Sequence, residues 1–165
     1  MKLRVAAVFC LVLAVALGGP VFSQTQMTFN GTNYASSTFK AMPLDQGHVV
    51  LIGEQLGIEV NESGKGPFNN LSTHFALTMY MDEKGGHYHG YGTYADKDGD
   101  KMVWEIWDFP AGSNKGKGKL LAATGKFAGM EGTADFSNEY PKGWPESTNR
   151  LICHEAFKLT LKNPL

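Results

Sequence analysis

Cysteine is almost missing, with two in 165 residues. Cys10 lies in an apolar leader, so a processed chain keeps only Cys153, and an intramolecular disulfide is excluded. Stability must then come from the packed core alone. An excess of either charge is also missing. Fifteen Lys and Arg stand against sixteen Asp and Glu, a net charge of −1. A nucleic-acid binder would show a basic excess or stripe, so nucleic acid is not expected as a partner. No heptad, long 3.6-residue periodicity or internal repeat is visible. After Leu17 no second long apolar run follows, so stable membrane insertion is not expected. Serines fall in turns without a nucleophile elbow. Thr124-Gly125-Lys126 lacks the glycine spacing of a phosphate-binding loop. Asp96, Asp98 and Asp100 do not make a calcium loop, because Lys101 and Trp107 stand where that loop needs Gly and Glu. An Asp-Gly hairpin turn accounts for the run.

What is present begins with a targeting segment. Lys2 and Arg4 precede an apolar run from Val5 to Leu17, which Gly18-Gly19-Pro20 breaks. Val21-Phe22-Ser23 then supplies modest side chains before Gln24. This is the layout of a cleaved secretory signal, and the run is shorter than the roughly twenty residues that cross a bilayer. Residues 1–23 are therefore expected to be a signal peptide and 24–165 a single domain, secreted or periplasmic. Hydrophobic residues at 42% are enough to build a core. Twenty glycines and ten phenylalanines point to a turn-rich β protein.

Alternation of apolar and polar residues, broken by Gly, Pro, Asn and Asp, predicts eight strands. They fall over 33–42, 48–60, 71–82, 87–95, 101–108, 116–123, 131–138 and 150–162. One helical turn is expected over 124–130. Eight mostly short-linked strands suggest an all-β, antiparallel meander closed into a barrel, with an open sandwich as the competitor.

Three segments resemble a known group. Phe-Asn-Asn-Leu-Ser at 68–72, Tyr-Ala-Asp-Lys-Asp-Gly-Asp at 94–100 and Ala-Thr-Gly-Lys-Phe-Ala-Gly-Met-Glu-Gly at 123–132 stand in sequence. Their order and spacing are similar to small exported bacterial proteins of the allene oxide cyclase and dirigent group of barrels. Thr-Gly-Lys-Phe-Ala-Gly-x-x-Gly is the most specific element, and the resemblance covers residues 45–138. It implies an eight-stranded antiparallel closed barrel with a mainly apolar lumen. It does not imply one chemistry, since the plant members handle oxidised fatty acids or phenoxy radicals. No catalytic residue is carried over from them. Related barrels often associate, which makes a homo-oligomer a candidate state.

Polar residues on apolar faces are the candidate chemistry. Glu54 shares a strand face with Val50, Ile52, Leu56, Ile58 and Val60. Glu155 shares one with Leu151, Cys153, Phe157, Leu159 and Leu161. A carboxylate among apolar neighbours is costly unless paired or protonated, so both are candidate acid/base or ligand-orienting groups of the lumen. The alternative is a structural carboxylate paired with Arg150, a lysine or a tyrosine hydroxyl. In the fifth strand Met102, Trp104 and Ile106 oppose Val103, Glu105 and Trp107, and both faces are apolar with an acid on each (Asp108 and Glu105). Either face can be the inner one, and packing accounts for both tryptophans as well as a ligand would. His74, Tyr91, Trp104, Glu105 and Cys153 complete the set of candidate ligand contacts. His87 and His89, two apart on one strand face, can chelate a metal with His74 as a third ligand. A solvated strand rim explains the same pair. Lys115, Lys117 and Lys119 should face solvent, with Gly116 and Gly118 inward.

Two function classes follow. One is an exported barrel that holds a small apolar or aromatic molecule in its lumen. The other is a cyclase or isomerase on the same barrel, needing no cofactor and using Glu54 and Glu155. A metal-binding barrel through His87 and His89 is a third reading.

Overall fold

The protein is described by a computed structural model over residues 24–83, 85–108, 113–141 and 149–162. The expected signal peptide lies outside the described residues. Eight strands follow in order: β1 (Thr25–Asp45), β2 (His48–Asn61), β3 (Leu71–Asp82), β4 (Gly85–Ala95), β5 (Lys101–Asp108), β6 (Lys115–Ala123), β7 (Met130–Glu139) and β8 (Asn149–Leu161). Each pairs antiparallel with the next, and β1 pairs with β8, so the sheet closes into a barrel. The open sandwich is thereby set aside.

The main departure from the expected strands is β1. It begins eight residues earlier than the alternation suggests, with strand running unbroken through Asn30 and Gly31. Closure explains the length. Barrel strands are tilted and staggered, so one strand must reach both neighbours at different heights. Gly31 to Asp45 pairs with β2, and Thr25 to Ser37 pairs with β8. The expected helical turn is a short 3-10 helix, Gly125–Phe127, between β6 and β7.

That helix has a packing role. It drops Phe127, fully buried, into one end of the barrel. Phe127 stacks on Phe68, Phe68 on Phe29 and Phe29 on Phe157, with centroids 4.5 to 5.6 Å apart. Leu71, Met130, Leu159 and Leu161 fill around this column. Burying aromatics of this size carries much of the stability that a disulfide would otherwise supply. One end of the lumen is thus plugged. The β4–β5 turn is held by Asp96, whose Oδ1 accepts from the backbone N–H groups of Asp98 and Asp100, both at 2.9 Å. Lys126 closes onto the same carboxylate.

Candidate functional site

The other end of the lumen stays open. A cavity of about 490 Å³ runs from the mouth, at Leu51, Met79, Met81 and Tyr140, down to Trp104 and Phe157 above the plug. Its wall is aliphatic and aromatic. Gly118 faces inward as expected and lines the cavity, while Lys117 and Lys119 are exposed. The fifth strand is also resolved: Met102 and Trp104 are buried, and Trp104 and Ile106 line the cavity, so Glu105 and Trp107 point outward.

The cavity floor is polar. Glu155 lines it and is 8% exposed. The Tyr94 hydroxyl donates to Glu155 Oε2 at 2.6 Å. Cys153, two residues away on the same inner face, is buried and also lines the cavity. Behind Glu155 lies a second acid, Glu59, with no exposure at all. No hydrogen-bond donor among the described residues reaches either oxygen of Glu59. Its polar neighbour is the Glu155 carboxyl, and two carboxyls bond each other only through a shared proton. Burial, then the charge of Glu155 and the bond to it, push Glu59 up to about 10. Burial pushes Glu155 up to about 7, while bonds from Tyr94, Cys153 and Glu59 pull it back. Glu59 is therefore the member that keeps its proton through neutral pH, while Glu155 gives its own up around it. Burial first, then Glu155, raises Tyr94 and Cys153, so both stay protonated donors. A carboxylate accepts at about four lone-pair sites, so the Tyr94 bond leaves Glu155 with acceptor capacity for a ligand. The buried indole N–H of Trp104 finds no acceptor among the described residues.

Gly31 makes room for this arrangement. A Cβ there would fall inside the Glu59 carboxyl. Nearby, Asn33 and Thr73 exchange side-chain hydrogen bonds at 3.1 and 3.2 Å, which satisfies a second buried polar pair of the inner wall.

The sequence-derived candidates divide accordingly. Glu155, Cys153 and Trp104 converge on the lumen. Glu54 does not, and this corrects the reading of the second strand. Its side chain is 55% exposed and pairs outside the barrel with His74 at 2.9 Å. The inner residues of β2 are Leu51, Gly53, Gln55, Gly57, Glu59 and Asn61, so the carboxyl that β2 gives the interior is Glu59. His74, Tyr91 and Glu105 also stand on the outer wall, where Glu105 Oε1 takes His89 at 2.9 Å and the Tyr91 hydroxyl at 3.2 Å. His87 and His89 are both exposed. Among the described residues no three His, Cys, Asp or Glu side chains are grouped to hold a metal ion. Nor is any helix among them long and apolar enough to cross a membrane.

Fold and site together are those of a closed eight-stranded meander barrel with one plugged end and an apolar lumen over a buried acid. The comparison with solved structures agrees. The chain is similar to the pterocarpan synthase dirigent protein PsPTS1, with a TM-score of 0.51 and 11% identity over 87% of this chain and 97% of that one. It is equally similar to the pterocarpan synthase dirigent protein GePTS1, with a TM-score of 0.52 and 9% identity over 89% and 91%. At such identity the likeness is one of fold. No protein-family model and no curated protein matches the chain.

Proposed function

We propose that this protein is an exported barrel that binds a small apolar or aromatic molecule in its lumen. The carrying observation is the cavity itself. Its volume of about 490 Å³ lies within the range of small-molecule pockets, and its apolar walls end in a few convergent polar groups. Glu155 and the Trp104 N–H give the ligand a polar anchor, and the remaining walls bury its apolar body. The leader over residues 1–23 supports export to a secreted or periplasmic location.

Binding of the neutral dye Nile red tests this reading. Its emission should rise on binding to the unmodified protein. Leu77→Trp, which projects into the lumen, should weaken binding at least about tenfold, roughly 1.4 kcal/mol. Dye binding that ignores this obstruction, or no binding at all, would remove the lumen as the site.

The Glu59–Glu155 pair favours a second reading, a cyclase or isomerase that needs no cofactor. A buried carboxyl pair holding one proton can give and retake it inside a site shielded from water. Glu155→Gln separates the two. A carrier keeps its affinity for the ligand to within a few-fold, whereas an enzyme loses turnover of it with little change in binding.

A further inference from the structure

The floor of the lumen is acidic, and no basic side chain shares it. The groups packed against Glu155 give hydrogen bonds but no cation. Tyr94 on β4 donates to it at 2.6 Å, Cys153 stands two residues away on β8, and Glu59 faces it from β2. Gly31 of β1 and Phe136 of β7 lie opposite it in register and are uncharged. No Lys, Arg or His is among the described residues that line the cavity. The lysines of the nearby strands, Lys117, Lys119 and Lys158, are exposed on the outer wall. A buried carboxylate without a counter-ion is costly, and a charged partner relieves that cost.

Aromatic rings surround the same floor. Trp104 and Phe157 meet edge to face at 5.5 Å, and Tyr94 lies 6.1 and 5.9 Å from them. Phe75 is 5.6 Å from Tyr94. All four rings line the cavity together with Glu155. Aromatic faces attract a cation, and do so more strongly where water is excluded. We infer that the lumen selects an organic cation: an amine on a small apolar or aromatic body, with its ammonium group on Glu155 and its body along the wall towards Leu51 and Met79. The inference rests on the lumen being the ligand site and adds the ligand's charge. A neutral hydroxyl can donate to Glu155 but brings no charge to balance it. A carboxylate or phosphate ligand meets Glu155 as a like charge and finds no cation in the wall. The Trp104 N–H is left for an acceptor elsewhere on the ligand.

Isothermal titration calorimetry of the protein with three probes tests the assignment. Naphthylethylamine, naphthylethanol and naphthylacetate share one aromatic body and are cationic, neutral and anionic. At about pH 8 the amine should bind at least about tenfold tighter than the alcohol, and the acetate at least about tenfold weaker than it. Towards about pH 5.5 Glu155 takes up its proton, so the amine should lose at least about tenfold while the alcohol holds to within a few-fold. Glu155→Gln, which costs a neutral ligand no more than a few-fold, should abolish the preference for the amine. Glu59→Gln leaves the Glu155 charge in place and should keep the preference. Far-UV circular dichroism checks the fold of both variants, and the charge and pH series on the unmodified protein decides the matter if either fails to fold. An amine that binds no tighter than the alcohol overturns the inference. So does a preference that ignores pH or survives Glu155→Gln. If Nile red still binds and Leu77→Trp still weakens it, the lumen stands and only its charge preference falls. If neither the dye nor any probe binds, both readings fall.

Discussion

Glu59 is the residue on which the site's electrostatics turn. Both buried acids hold protons more tightly in the fold than in the unfolded chain, Glu59 to about 10 and Glu155 to about 7. The sign of the linkage follows from that. Between the ordinary carboxyl value and these raised ones the native state binds more protons than the unfolded state, so stability falls as pH rises, by up to about 1.4 kcal/mol per pH unit for each group. Asp96 and Glu105 act the other way: hydrogen bonds from Lys126 and His89 lower them, and their contribution is lost only as pH falls through these lowered values. The protein should therefore be most stable in mild acid and weaken towards pH 8. Urea unfolding across that range measures the slope. Glu59→Gln, isosteric and uncharged, should remove about one proton's worth of it and leave the variant more stable than the parent at the alkaline end. A slope that Glu59→Gln leaves unchanged would mean the pair does not hold the extra proton.

At the scale of the strand, what was legible depended on which face the alternation put inside. In β8 the rule that apolar residues face the core works, and it places Glu155, Cys153 and Phe157 in the lumen directly from sequence. In β2 the same rule gives the opposite of the truth. Ile52, Leu56 and Ile58 form the more hydrophobic face, yet that face is the outer one. Period-2 alternation fixes that two faces differ, but not which of them meets the interior, and a strand with an apolar exterior inverts the reading. The glycines carried the missing signal. Gly53 and Gly57 lie on the Glu59 face, and a Cβ at either would strike β1, at the Phe39 ring and at the Asn33 amide. Glycine in a strand marks close approach by a neighbour, and here the neighbours are the β1 carbonyls of Thr38 and Tyr34 together with the inward Phe39 and Asn33 side chains. Reading Gly53 and Gly57 as the inner face would have selected Glu59 over Glu54. In β5 both faces are apolar, so only register against β4 and β6 decides that Trp104 goes in and Trp107 out.

At the scale of the molecule, closure does the work that disulfides do in many small domains. The seam between β1 and β8 joins the two ends of the described chain through thirteen facing residue pairs, Thr25 with Leu161 to Ser37 with Asn149. Every strand then has two partners, and no edge is left to template aggregation. The sequence made the strand count readable, because turns recur regularly. It did not make the seam readable, because pairing between residues over a hundred positions apart leaves no local trace. A seam of this length should also bind the barrel into one cooperative unit. Amide exchange offers the test. Seam amides of Tyr34 and Cys153 should be protected to the same free energy as those of Phe75 in mid-β3, since none can open without breaking the closed sheet. Seam amides that exchange much faster than Phe75 would describe an open sheet whose first and last strands peel away. The lumen would then lack a continuous wall, because Glu155 and Cys153 are carried on β8, on the far side of that seam.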